Sequence, residues 1–181
     1  MTIGFDFDDV LMDFCGALLP YHNTIYGTKY EMEDVKSVGL SELWNCSKEE
    51  EIKRVLNFYQ SSEHWNAPPV DQAVEGVKNL KQDHSLFIVT SKPEELREGT
   101  LEWLDKHFPQ TFDGVHFTNQ YHGNGHKRTK GEVCGEIGIE TFVDDMLHNS
   151  EDVANAGIPV LLFDTPWNQG EVKPQITRVH S

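Results

Sequence analysis

Apolar residues fall along this chain in two rhythms. Short, near-continuous apolar or β-branched runs recur at 2–5, 85–90, 114–118, 140–144 and 158–164, and they read as five strands. Runs that are apolar on both faces predict a parallel sheet covered by helices on each side. Between the runs the spacing turns helical. Val70, Val74, Val77 and Leu80 precede the second run, and Leu96, Leu104 and Phe108 follow it, with Pro93 suited to a first helical turn. Thr129 and Glu132 have capping-box spacing and Gly138 suits a helix end. Asn149 or Ser150 is placed to cap a short helix ending near Gly157. The alternation predicts an α/β fold, a doubly wound, Rossmann-like parallel sheet.

One stretch breaks the rhythm. Residues 15–69 contain no convincing strand. Ser47-Lys48-Glu49-Glu50 opens a helical pattern through Ile52, Val55, Leu56 and Tyr59, and Pro68-Pro69 closes the segment. The expected organisation is an α/β core formed by 1–14 and 70–181, with 15–69 inserted as a small helical cap over the carboxyl ends of the strands.

A chain of 181 residues suits one domain with such an insertion. Its 38% hydrophobic content is enough for a core. A formal net charge of −15 argues against a nucleic acid polymer or an anionic membrane surface as partner. It leaves room for a small phosphorylated substrate, since a cation can reverse the local potential. No apolar run approaches the roughly 20 residues of a membrane span, and the N-terminus lacks the basic and apolar regions of a signal peptide. Cys15, Cys46 and Cys134 are odd in number and form no metal spacing, which reads as reduced thiols in a cytoplasmic protein.

Against that background one motif stands out. Asp6, Asp8 and Asp9 crowd together just after the first strand. Like charges so close repel and resist desolvation, so a fold keeps them together where a cation compensates, and Mg2+ favours such hard oxygen ligands. Further polar groups sit at the other strand ends: Thr90 and Ser91 after the second, Lys130 opening the helix after the third, Asp144 and Asp145 ending the fourth. A doubly wound sheet gathers these positions into one crevice. The set is equipped for phosphoryl transfer, with a carboxylate nucleophile, a second carboxyl to move protons, a hydroxyl and a lysine for the phosphoryl oxygens, and acids to anchor a metal.

These residues resemble the motifs of the haloacid dehalogenase superfamily of phosphatases: Asp6-Phe7-Asp8-Asp9-Val10-Leu11, then Ile88-Val89-Thr90-Ser91, Lys130, and Phe142-Val143-Asp144-Asp145, in that order. His116-Phe117-Thr118, the stretch from Lys130 to Cys134, and Leu161-Leu162-Phe163-Asp164-Thr165-Pro166-Trp167-Asn168 are similar to the 5′(3′)-deoxyribonucleotidase family. The resemblance implies hydrolysis of nucleoside monophosphates with Mg2+ beneath a helical cap. It implies Asp6 as nucleophile and metal ligand, Asp8 as general acid/base with its carbonyl on the metal, Thr90, Ser91 and Lys130 as phosphate contacts, and Asp145 and Asp144 at the metal. A proton-donating Asp8 also argues against dehalogenation, because a halide needs no proton to leave.

Some readings compete. Asp9 suits a solvated or helix-capping role. The cap aromatics Tyr21, Tyr26, Trp44, Phe58 and Trp65 serve equally as a base-stacking site or as the insertion's own core. Phe14 and Trp65 flank the cap junctions, and with Trp44 and Trp167 they are the candidate substrate contacts. His122 and His126 have no partner at ligand spacing and are not read as a metal site. Alternatives to the nucleotidase are a phosphatase of a sugar phosphate or phosphoglycolate and, more remotely, a phospho-accepting signalling module. In the latter the acidic pair comes before the Thr and Lys, opposite to the order here.

Overall fold

The computed structural model of the protein describes residues 1–37, 39–121 and 126–180; the pair His122 and His126 is therefore only half inside the described residues. Six parallel strands form one sheet in the order β3-β2-β1-β4-β5-β6: β1 (Thr2–Phe5), β2 (Ser85–Thr90), β3 (Gly114–Phe117), β4 (Thr141–Asp144), β5 (Val160–Phe163) and β6 (Ile176–Val179). The order reverses beside β1. The chain steps outward one way through β2 and β3, then returns to the other side of β1 for β4. In such a sheet the crevice at the carboxyl ends of β1 and β4 is the ligand position.

Five of the strands are those expected from the apolar runs. The sixth, β6, has the sequence Ile176-Thr177-Arg178-Val179, short and charged, as befits an edge. It is stabilised by pairing with β5 rather than by its own hydrophobicity. Within the sheet Gly4 lets β1 lie against Phe142, since a Cβ there would come 2.6 Å from the ring.

Helices α4 (Ala73–Leu80), α5 (Arg97–His107), α6 (Lys130–Ile137) and α7 (Leu147–Asn155) link the strands. One apolar cluster lies around Phe7, Leu86, Trp103 and Phe108, and a second around Val89, Phe142, Val153 and Leu162. Thr129 and Glu132 form the reciprocal capping box of α6, and Gly138 ends it in the left-handed conformation. Two local expectations differ from the structure. Pro93 is extended and precedes a single 3-10 turn, Glu94–Leu96, that runs into α5. Asn149 and Ser150 lie inside α7, buried, not at its start. The helix begins at Leu147 with Met146 at its N-cap and no side-chain cap, and just before it Asp144 Oδ1 accepts from the Met146 amide at 2.8 Å.

Between β1 and β2 the chain is helical: α1 (Phe14–Tyr26), a 3-10 turn at Met32–Asp34, α2 (Lys48–Tyr59) and α3 (Ser62–Trp65). Asp13 and Ser47 cap α1 and α2 through their side chains. These elements bury an apolar cluster of their own that includes Leu18, Leu19, Trp44, Val55 and Phe58. The outgoing and returning chains touch where Met12 bridges Pro69, the Asp13 amide donates to the Pro68 carbonyl at 2.9 Å, and the Val70 amide donates to the Leu11 carbonyl at 2.9 Å. Residues 13–68 thus leave and rejoin the sheet at one clasp. Among the described residues no helix is long and apolar enough to cross a membrane.

Candidate active site

The site grows out of β1. Its ladder continues one residue further, with the Asp6 amide donating to the Val143 carbonyl of β4 at 2.8 Å, so Asp6 stands at the reversal point. After it the chain turns tightly. Leu11 and Met12 both donate to the Phe7 carbonyl at 3.0 Å, and Asp9 takes a left-handed φ of 56°. The turn directs Asp8 into the cavity. Asp9 Oδ1 accepts from the Cys15 amide at 2.8 Å, in the first turn of α1, so it serves the helix-capping role. Burial, more than the neighbouring acids, pushes the Asp9 carboxyl up to about 7.

Lys130 is the counter-charge. Its Nζ lies 2.8 Å from Asp6 Oδ2 and 2.8 Å from Asp144 Oδ2, with all three side chains buried. The capping box of α6 places this lysine at the first helical position, facing the two acids. Burial alone would depress the ammonium, but Asp144 and Asp6 hold it above its ordinary range. Asp144 is itself pushed up to about 6 by burial against the pull of Lys130. Asp145 is raised further, by burial and then by the charges of Asp144, Asp9 and Asp6. Oxygens of Asp6, Asp144 and Asp145 all lie within 4.8 Å of one another.

A divalent cation fits this cluster. Three hard oxygen donors converge, Lys130 is paired with two of the three acids, and Asp145 Oδ1 is buried without a hydrogen-bond partner among the described residues. Leaving a carboxylate oxygen so placed costs free energy unless a ligand completes it. The Asp8 side chain is not part of the cluster.

Thr90 and Ser91 end β2 as expected and line the same cavity as Asp6, Asp8 and Asp145. Thr90 Oγ1 accepts from the Lys92 amide at 3.2 Å, and Ser91 Oγ donates to Gln120 at 3.3 Å, so neither caps α5. Lys130 and Asp144 do not line the cavity; they reach it through Asp6.

The cavity holds about 300 Å3, at the lower end of the range for small-ligand pockets. Its apolar walls come from Phe14, Val35, Leu40, Val55, Tyr59 and Trp167. Of the four candidate substrate aromatics, Phe14 and Trp167 are at the cavity. Trp44 and Trp65 are not. Trp44 stacks on His22 with centroids 4.2 Å apart inside the helical segment's own cluster. Trp65 packs against Gly99 of α5, where a Cβ would come 2.6 Å from its ring. Both rings are spent on packing, Trp44 inside the helical segment and Trp65 between it and α5.

Lys92 is the residue that sequence reasoning passed over. It is buried, its Nζ lies 3.0 Å from Asp8 Oδ1, and it sits over the rings of Tyr59, Phe7 and Phe14 at 4.5, 5.2 and 5.5 Å. Burial lowers its ammonium, opposed by Asp8. Burial and then Lys92 keep the neighbouring His64 neutral. The available signal was a lysine directly after Thr90-Ser91, at the end of a buried strand, with Pro93 holding the chain extended. Glu51 is a second such case. It is buried at the cavity wall, accepting from Lys48 at 2.6 Å and from the Ser41 amide at 2.9 Å.

Known proteins are similar to this chain. The family described as 5′ nucleotidase, deoxy (Pyrimidine), cytosolic type C protein matches the chain over residues 1–181. A Bacillus subtilis (strain 168) protein named "Putative nucleotidase YqfW" is 26% identical over 182 residues, spanning 100% of this chain and 89% of its own. A haloacid dehalogenase-like family hydrolase from Streptococcus pneumoniae superposes with a TM-score of 0.67 at 15% identity, covering 93% of this chain and 87% of that one. The Bacillus subtilis "putative HAD-hydrolase YfnB", solved bound to magnesium, superposes with a TM-score of 0.64 at 17% identity, covering 98% and 93%. At these identities the two structures speak for the fold.

Proposed function

The chain belongs to the 5′ nucleotidase, deoxy (pyrimidine), cytosolic type C protein family, a haloacid dehalogenase-type phosphatase family, and from that premise we propose that it is a Mg2+-dependent nucleotidase acting on nucleoside monophosphates. The observation that carries this reading is the placement of Asp6. It stands at the reversal point of the sheet, paired with Lys130, beside the open oxygen of Asp145, facing a cavity with apolar walls.

In the proposed reaction an Asp6 carboxylate oxygen attacks the phosphorus and the ester P–O bond breaks. Asp8 gives its proton to the leaving oxygen, and burial, which raises its carboxyl, suits it to hold that proton. Asp8 then takes a proton from a water that attacks the aspartyl-phosphate, releasing phosphate and restoring Asp6. Thr90 and Ser91 hold the phosphoryl oxygens from the cavity wall, and Lys130 supplies its charge to them from behind Asp6. Asp6, Asp145 and Asp144, with the Asp8 carbonyl, would hold Mg2+, which when bound neutralises charge on the transferring group.

The core is assigned to 1–14 and 70–181 and the cap to 15–69, whose wall residues Val35, Leu40, Val55 and Tyr59 receive the base and sugar. A cytoplasmic setting accommodates the three free cysteines. The net charge of −15 disfavours polynucleotides, while a cavity with Thr90, Ser91 and Lys92 in its lining accepts a monophosphate.

Lys92 is given the task of holding Asp8 in place. Lys92→Met should lower kcat by about 10- to 100-fold with a smaller change in KM, since general acid–base catalysis contributes on the order of 10²–10⁴ and the carboxyl itself remains. Steady-state kinetics check this, and an unchanged kcat would disconnect Lys92 from Asp8.

Phosphate release from deoxyribonucleotides, ribonucleotides, sugar phosphates and phosphoglycolate, run with Mg2+ and with Asp6→Asn as blank, tests the substrate class. Nucleoside monophosphates should exceed the others in kcat/KM by about tenfold or more. Turnover confined to sugar phosphates or phosphoglycolate would retain the phosphatase and discard the nucleotidase.

A further inference from the structure

The three clustered acids are not equivalent. Asp6 uses Oδ2 for Lys130 and accepts the Phe7 amide on Oδ1 at 2.7 Å. Asp144 uses Oδ2 for Lys130 and Oδ1 for the Met146 amide. Asp145 has one oxygen tied, Oδ2 accepting from Trp167 Nε1 at 2.8 Å, and one buried oxygen with no partner among the described residues.

The tie to Asp145 comes from a structured turn. Trp167 and Asn168 follow β5. Asn168 Nδ2 donates to the Asp145 carbonyl at 2.6 Å and to the Phe163 carbonyl at 2.5 Å, so side chain and backbone of Asp145 are gripped by consecutive residues. Asn168 is held in turn by Arg178 of β6, which donates to its Oδ1 at 2.5 Å and to its carbonyl at 2.9 Å, and to Asp164 at 3.0 Å. The charged edge strand that the apolar pattern did not disclose thereby braces the metal cluster.

We propose that the turn at 165–168 is a clasp that aims Asp145 Oδ1 at the cation, with Trp167 as the positioning residue. The proposal rests on the metal reading above. The χ2 torsion of an aspartate has a broad well, so an unaided Asp145 carboxylate would swing about it and present no oxygen steadily to the cation. An indole N–H only donates, so it fixes Oδ2 without competing for the cation. The same ring lines the substrate cavity and packs into the cluster of the helical segment, which joins the orientation of Asp145 to the closure of the cavity wall. Partners of this kind around ligating groups typically change metal affinity by about 10- to 100-fold.

Trp167→Phe removes the N–H and retains an aromatic ring. Calorimetric titration of substrate-free protein with Mg2+ should show Kd raised by about tenfold or more relative to wild type. An unchanged Kd beside normal wild-type binding, with KM alone increased, would overturn the clasp and leave Trp167 a substrate contact. Should Trp167→Phe fold poorly by circular dichroism, Arg178→Met decides instead. It leaves the indole in place and frees Asn168, and it too should weaken Mg2+ binding; an unaltered Kd overturns the proposal. Wild-type protein that takes up no Mg2+ would sink the metal reading and the clasp together.

Discussion

Asp6→Asn is expected to lower turnover by about 10⁴-fold or more while the protein remains folded, as removal of a covalent nucleophile does in other enzymes. The argument is geometric and electrostatic. An asparagine has nearly the same shape, so the ladder bond from residue 6 to Val143 and the packing around it persist. Its amide is too weak a nucleophile to displace an alkoxide from phosphorus. It also leaves the buried Lys130 ammonium with Asp144 as its remaining partner in the cluster, so in chelator the variant should unfold at a somewhat lower temperature than wild type while staying folded at the assay temperature. Phosphate release and thermal unfolding, measured on the same preparation, read the two effects separately. Activity within tenfold of wild type in a folded Asp6→Asn protein would sink the covalent mechanism.

Lys130→Met should instead cost stability as well as activity. The ammonium is buried between Asp6 and Asp144 at 2.8 Å from each, and removing it strands two carboxylates in a dry environment. Breaking a buried pair in this way typically costs about 3–5 kcal/mol. The loss has a pH dependence of known sign. Burial already pushes Asp144 up to about 6 with the lysine present, above its unfolded value, and without the lysine it rises further. A folded state that binds protons more tightly than the unfolded chain gains stability as pH falls, so the deficit should be larger near about pH 8 than near about pH 5.5. Mg2+ should restore part of it, because a cation that binds only the folded state stabilises that state. Denaturant midpoints at both pH values, with and without Mg2+, test this. A deficit under about 1 kcal/mol at the higher pH would show that Lys130 is not the charge that holds the acids together.

Much of this protein could be read along its chain, for an identifiable reason. In a doubly wound sheet each chemical position falls at the end of an apolar run or at the start of the helix after it, so the register of a residue within its element reports its place in the molecule. Asp6, Thr90, Ser91, Lys130, Asp144 and Asp145 were legible on that ground, and the structure brings them to one end of β1, β2, β4 and α6. The capping box at Thr129 is local chemistry and was equally plain.

Residues whose roles depend on partners far along the chain were not legible. Lys92 is a lysine in a turn until Asp8, Phe14 and Tyr59 surround it. Trp44 and Trp65 have the same composition signal as Phe14 and Trp167, and only packing sends Trp44 into the helical segment's cluster, Trp65 against α5, and the other two to the cavity. The edge strand β6 carries too little apolar character to announce itself and exists through its ladder to β5.

By itself, then, the sequence determined the α/β alternation, the place of the helical segment and the acids, hydroxyls and lysine of the site, because periodicity, capping and strand-end position are short-range properties. The tertiary structure alone decided which oxygen of which aspartate has no partner among the described residues, which lysine lies beside Asp8 and which aromatic rings line the cavity. Those outcomes come from contacts between residues as far apart as Asp8 and Lys92 or Asp145 and Trp167, whose distances no local pattern sets.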